Sequence, residues 1–199
     1  LSREQMDRLL KVLREGIGIG EDGKETLLDL DARGMMMLAL LTGMRRGEIF
    51  RLRWEDVDFQ RGTITLRETK GGTTVMLPLS DVVRDLLENR PRREGSPFVF
   101  PGRGGRERKD ANKRVNEIKA AAGLPASFRG LHGLRHILAS NLASSGEVDL
   151  YTLQKLLGHR SAAMTQRYAH LSDTTLRKAA DLMGEIILTH EKKEEEGTA

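Results

Sequence analysis

Cysteine is absent from the 199-residue sequence, which excludes disulfide bonds and thiolate metal sites. Long hydrophobic runs are also absent. The longest, residues 35–41, is well short of the roughly 18 apolar residues that a transmembrane helix needs. The N-terminus is charged and amphipathic, which does not match a signal peptide. These absences predict a cytoplasmic protein with no membrane partner.

Charge is abundant and unevenly distributed. Charged residues make up 31% of the chain and apolar residues 38%, and the net charge is +4. Residues 90–119 contain ten basic and four acidic residues, whereas residues 1–34 contain six basic and eight acidic residues. This excess of basic residues in the middle of the chain is typical of a surface that binds phosphates. A solvated Arg-rich loop and helix would give the same count.

The apolar pattern changes period along the chain. Three β-rich runs with Gly-containing turns between them predict a small antiparallel sheet from residues 57–59, 63–67 and 73–77. Residues 16–23 and 91–106 are predicted to be loops. Helical spacing predicts helices over residues 2–14, 27–41, 46–52, 80–89, 109–122, 131–145, 150–157, 162–170 and 173–189.

The expected fold class is mainly α with a small three-stranded antiparallel sheet. We expect one domain over residues 1–190, followed by a charged, disordered tail over residues 191–199.

Four separated motifs carry the candidate chemistry. They are Thr-Gly-Met-Arg-Arg-Gly-Glu at 42–48, Lys70 before two glycines, His-Gly-Leu-Arg-His at 132–136, and Leu-Gly-His at 157–159 with Tyr-Ala-His at 168–170. Each is weak alone, since a hairpin lysine or a tyrosine on an amphipathic helix is usually structural. The two histidines at 132 and 136 have a spacing that could bind zinc, although glycine stands where a zincin motif has glutamate. The set in this order is improbable by chance.

In these motifs the sequence resembles the tyrosine recombinases, or phage integrases, which share a catalytic fold with type IB topoisomerases. The resemblance runs from about Ser2 to the last predicted helix. It implies six catalytic residues: the phosphate-binding pair Arg45 and Arg135, the general acid Lys70, the general base His132, the hydrogen-bond donor His159 and the nucleophile Tyr168. It also implies supporting roles for Glu48 and His136.

The chemistry of strand cleavage needs these residue types. Two guanidiniums stabilise the charge that develops on the phosphate in the transition state, and they do so without a proton transfer. A free tyrosine has a pKa of about 10 and therefore needs a base or nearby cations at neutral pH. The resemblance implies a 3′-phosphotyrosyl intermediate that conserves the energy of the phosphodiester, so neither ATP nor a metal or other cofactor is expected.

The expected partner is double-stranded DNA, and the expected function is site-specific recombination or integration. The resemblance also implies a homo-oligomer on DNA, which would be a tetrameric synapse in the full-length protein. The predicted helix over 173–189 is a candidate contact between protomers. A DNA-clamping domain usually precedes the catalytic domain in this family, and we expect these 199 residues to be the catalytic domain alone. Candidate DNA-binding residues are the basic side chains Arg106, Arg108, Lys109, Lys113 and Arg114.

Two alternatives stay open. A relaxing type IB topoisomerase would use the same residues, and a plasmid relaxation assay without paired sites separates it from a recombinase. A noncatalytic DNA-binding module of the same fold is the other alternative, and the complete set of candidate catalytic residues argues against it.

Overall fold

The computed structural model describes residues 1–19, 24–67, 74–158 and 162–169. The chain divides into two compact units, Leu1–Leu138 and Ala139–Ala199. Among the described residues no helix is long and apolar enough to cross a membrane.

The helices begin and end where the sequence provides caps. At the start of the first helix, α1 (Arg3–Glu15), the Gln5 N–H donates to the Ser2 hydroxyl, and the Ser2 N–H donates to the Gln5 side chain. The next helix, α2 (Leu30–Thr42), is capped by Asp29 and is followed by Gly43 in the left-handed conformation. The helices that begin in the first unit are α1 (Arg3–Glu15), α2 (Leu30–Thr42), α3 (Arg46–Arg51), α4 (Asp81–Glu88), α5 (Asn112–Ala121) and α6 (Leu131–Ser145).

A two-stranded hairpin lies between α1 and α2, where the sequence predicted a loop and the start of a helix. The strands β1 (Ile17–Ile19) and β2 (Glu25–Leu27) pair antiparallel, with Ile17 opposite Leu27. That part of the prediction was wrong. The physical reason is that the hairpin exposes apolar side chains, Leu27 at 82% and Ile19 at 65%, so no alternation of polar and apolar residues marks it.

The predicted three-stranded antiparallel sheet is confirmed. Its strands are β3 (Val57–Asp58), β4 (Thr63–Leu66) and β5 (Val75–Pro78), in the order β3-β4-β5. Ile64 and Leu77 pair across the central ladder and both are buried, so one face of this sheet contributes to the core.

The core of the first unit is apolar and centred on α2. Met35, Met36 and Leu38 are fully buried, as are Phe100 from the loop after α4 and Ile118 from α5. Burying a side chain of this size stabilises the fold by roughly 1.5–3 kcal/mol, so α2 is the main anchor of this unit.

A partly buried ion cluster connects α2 to the segment after α4. The Asp31 carboxylate accepts hydrogen bonds from both Arg90 and Arg108. Arg90 also donates from Nε to the Val99 carbonyl at 2.9 Å and stacks on the Phe100 ring at 4.2 Å. Burial lowers the pKa of Arg90, and Asp31 opposes that shift. The single Asp31 carboxylate therefore pairs with two guanidiniums.

The second unit has a small core of its own. Two further helices are described in it, α7 (Leu150–Leu156), which is capped by the Asp149 side chain, and α8 (Ala162–Gln166). Hydrogen bonds from Thr152 to this carboxylate lower the pKa of Asp149. The buried members of this core are Ala139, Ala143, Leu153, Leu157 and Tyr168.

Candidate active site

Glu48 binds both the backbone and the side chain of Arg45. Such contacts are what the predicted supporting role of this glutamate requires. Arg45 lies at the N-cap of α3, and its backbone N–H donates to Glu48 Oε2 at 2.7 Å. Its guanidinium Nη1 donates to Glu48 Oε1 at 2.8 Å. The Glu48 side chain is only 5% exposed, whereas that of Arg45 is 28% exposed. One buried carboxylate thus fixes both ends of an arginine that still reaches the surface.

The backbone before Arg45 forms the short connection between α2 and α3. Gly43 has a φ of 68°, which favours glycine, and the Thr42 hydroxyl donates to the Leu38 carbonyl while accepting from Met44 N–H. The motif therefore ends α2 and begins α3 within three residues.

Arg135 reaches this same connection from α6. It is buried, and its Nη1 donates to the Gly43 carbonyl, 92 positions away in the sequence. Because Gly43 is two residues from Arg45, the two predicted phosphate-binding arginines come from motifs that the fold joins directly.

His132 and His136 form a pair on α6. Their Nε2 atoms are 2.9 Å apart and their rings are nearly perpendicular, at 87°. One histidine can therefore donate an Nε2–H hydrogen bond to the Nε2 atom of the other, and the tautomers decide which of the two is the donor. This places the predicted base beside the predicted supporting histidine.

Gly133 lets an aromatic ring approach α6 closely. A Cβ at this position would lie 2.6 Å from Cε2 of Phe128. The glycine of the His-Gly-Leu-Arg-His motif is thus needed for packing.

A basic cleft opens beside His132. It has a volume of about 340 Å³, and its lining includes the cations Arg46, Lys119 and Arg129. None of its described lining residues is acidic. Sequence analysis missed these three residues as a set, because they come from α3, α5 and the loop before α6, and no local motif links them.

Tyr168 belongs to the core of the second unit. It is 6% exposed and packs with Leu153 and Leu157 among others, and its backbone N–H donates to the Thr165 carbonyl at 2.9 Å. Two other predicted catalytic residues, Lys70 and His159, lie outside the described residues, as does the helix predicted over 173–189.

The predicted DNA-binding residues have different surroundings. Arg108 binds Asp31 and the carbonyls of Phe100 and Pro101, which favours a structural role for its guanidinium. Lys109 pairs with Glu107 at 3.1 Å and Arg114 pairs with Glu117 at 3.0 Å, with both cations more than half exposed. Arg106 and Lys113 complete the set, and Lys113 is exposed.

The helical unit with its three-stranded sheet has the fold of tyrosine recombinase catalytic domains. The catalytic domain of bacteriophage HP1 integrase superposes with a TM-score of 0.65 at 26% identity, covering 91% of this chain and 92% of that one. The XerH site-specific recombinase, solved bound to its palindromic difH substrate after cleavage, superposes with a TM-score of 0.67 at 23% identity, covering 92% and 53%. The second likeness, at its low identity, shows the fold alone.

The chain belongs to the phage integrase family, whose model matches residues 1–175. Among curated proteins it is 29% identical over 185 residues to the tyrosine recombinase XerA of Pyrococcus furiosus. That match covers 91% of this chain and 60% of the relative, so the chain spans somewhat over half the length of XerA.

Proposed function

We propose that this chain is the catalytic domain of a site-specific DNA recombinase that cuts and rejoins strands through a 3′-phosphotyrosyl bond on Tyr168. The observation that carries the proposal is the hydrogen bond from Arg135 to the Gly43 carbonyl. It joins the two motifs whose arginines the family resemblance assigns to one phosphate.

Arg45 and Arg135 supply permanent positive charge. Attack by the phenolate on the phosphodiester raises the charge on the phosphoryl group from about one to about two negative charges in the transition state. Guanidiniums that are already oriented stabilise that charge without reorganising, and losing one such donor typically costs about 10²–10³ in rate. The Glu48 carboxylate orients Arg45 in advance.

His132 accepts the proton of the Tyr168 hydroxyl as general base. Its contact with His136 supports this role, because a second imidazole at 2.9 Å helps to hold the His132 ring in place. The remaining assignments, Lys70 as acid for the 5′-oxygen and His159 as donor to a nonbridging oxygen, rest on the family resemblance.

The proposed partner is double-stranded DNA, bound as a homo-oligomer during recombination. The cleft beside His132 supports this, because three cations and no described acid line it. A phosphate next to the scissile one would be attracted there.

The test is a suicide substrate, a nicked duplex that traps the covalent protein–DNA adduct. The chain contains only two tyrosines, which provides a matched control. Tyr168→Phe should abolish the denaturation-resistant adduct, since no phenol remains to attack. Tyr151→Phe should retain it, because Tyr151 is 66% exposed and contacts Lys155 instead. An adduct that survives Tyr168→Phe would show that the nucleophile is misassigned.

A further inference from the structure

His132 and His136 bring their Nε2 atoms close together on α6. Their ring centroids are 4.5 Å apart, while their Nε2 atoms are 2.9 Å apart. The rings therefore lean together at their Nε2 tips. In a straight N–H···N hydrogen bond both ring centroids would lie on the line through the two nitrogens. The centroids would then be further apart than the observed 4.5 Å.

This spacing matches two adjacent coordination positions of a transition-metal ion. Imidazole nitrogens bind such ions at about 2.0–2.1 Å. Two nitrogens 2.9 Å apart at that bond length subtend an angle of about 90° at the metal. That is the angle between neighbouring ligands in the tetragonal geometry that Cu²⁺ and Ni²⁺ prefer, and imidazole suits both ions.

The pair is both held in place and accessible. Four-residue spacing on α6 puts the two side chains on one face, and the packing of Phe128 against Gly133 limits the movement of this turn. His132 is exposed and His136 is half-buried, so an ion can enter from solvent. Within the described part of the chain no cluster of three or more His, Cys, Asp or Glu residues could hold a metal, so a metal site at this pair has two protein ligands.

We propose that His132 and His136 form a two-histidine site for Cu²⁺ or Ni²⁺, and that an ion bound there blocks DNA cleavage. A metal on Nε2 of His132 occupies the lone pair that would accept the proton. The site itself follows from the geometry, whereas the blocking effect rests on the proposed function, in which His132 is the general base.

The binding test is titration of the tag-free chain with Ni²⁺ by calorimetry and with Cu²⁺ by electron paramagnetic resonance. The sequence has five histidines, so His190→Ala serves as the matched control. His132→Ala and His136→Ala should each weaken the strongest site by more than tenfold, since loss of a ligand should cost at least the roughly 10-fold of an outer-shell partner. His190→Ala should leave it unchanged, and Mg²⁺, which prefers oxygen ligands, should not compete.

The functional test adds Ni²⁺ to the suicide-substrate reaction. Saturating Ni²⁺ should slow adduct formation by about 10²-fold, the lower end of what a general base contributes, and EDTA should restore the rate. His136→Ala, measured against its own metal-free rate, should lose this sensitivity.

Two failures are distinguishable. Unchanged metal affinity in both histidine variants would overturn the site itself. Binding that depends on both histidines but leaves cleavage unaffected would keep the site, overturn the blocking effect, and remove His132 as the base.

Discussion

At the scale of single residues, the orientation of Arg45 depends on one carboxylate. Glu48 uses one oxygen for the backbone N–H of Arg45 and the other for its guanidinium. An exposed ion pair of this kind contributes little to stability. Here the acid is buried, so the pair is held in one geometry, which is what a preorganised phosphate site requires.

Glu48→Gln should therefore reduce cleavage more than folding or DNA binding. The amide keeps one acceptor oxygen but cannot satisfy both donors of Arg45, and a displacement of about 1 Å in such a site can cost about 10² in rate. The measurement is the single-turnover rate of adduct formation on saturating suicide substrate, together with DNA affinity and the melting temperature.

The matched control for that variant is Glu55→Gln. Glu55 is 56% exposed and pairs with Arg53 at 3.5 Å, so its loss should leave the cleavage rate unchanged. Equal rates in both variants would show that Glu48 does not position Arg45.

At the scale of elements, α6 carries three of the proposed site residues and depends on close packing for its position. Gly133 lies between His132 and Arg135 on this helix, and the Phe128 ring fills the space that a side chain would need. A shift of the first turn of α6 would move the histidine pair and the Arg135–Gly43 contact together.

Gly133→Ala should consequently destabilise the protein. Its Cβ would lie 2.6 Å from Phe128 Cε2, and overpacking of this kind costs about 1–3 kcal/mol. Gly47→Ala on α3 is the control, because the nearest atom to its Cβ is Arg51 Nη2 at 3.7 Å. It should be neutral or stabilise by up to about 1 kcal/mol. Urea denaturation measures both, and similar free energies of unfolding for the two variants would contradict the packing argument.

The ion cluster that joins α2 to the segment after α4 leads to a second prediction at this scale. Asp31→Asn should destabilise by about 3–5 kcal/mol, because the guanidinium of Arg90 is 4% exposed and would lose the carboxylate to which it donates. The Glu88→Gln control removes an exposed pair with Arg84 at 3.4 Å and should cost at most about 1 kcal/mol. Thermal and urea unfolding should rank the two variants in this order, and a cost for Asp31→Asn no larger than the control's would show that the cluster is dispensable.

At the scale of the whole molecule, the distribution of charge matters more than its total. The net charge is only +4, yet residues 90–119 carry ten basic and four acidic residues. Two of those ten basic residues, Arg90 and Arg108, form ion pairs with Asp31 inside the fold. The surface charge available to DNA in this segment is therefore smaller than the sequence count suggests.

Salt dependence should reveal which cations meet phosphates. Lys113→Ala should lower DNA affinity and flatten the slope of log K against log salt by about 0.9, the value for one lost phosphate contact. Lys11→Ala, which removes an exposed cation of α1 outside the basic segment, should leave the slope unchanged. Fluorescence anisotropy at several salt concentrations gives both slopes, and identical slopes for the two variants would show that Lys113 does not contact a phosphate.

Local sequence patterns were sufficient to predict several parts of this protein. The capped start of α1, the helix stop and restart around Gly43, and the three-stranded sheet follow from spacing and turn residues within a few positions. The order of the motifs also identified the family, which the match over residues 1–175 confirms. Local rules missed the hairpin between α1 and α2, since its strands have three residues each and expose apolar side chains.

The contacts between residues that are far apart in the sequence became visible in the folded chain. Arg135 finds the Gly43 carbonyl 92 positions away, and Arg108 finds Asp31 77 positions away. Nothing in the local sequence separates a guanidinium that faces phosphate from one that neutralises a buried acid, since both are arginines among polar neighbours. The distinction arises when a chain segment is buried, because a charge removed from water needs a partner that only the folded chain brings to it.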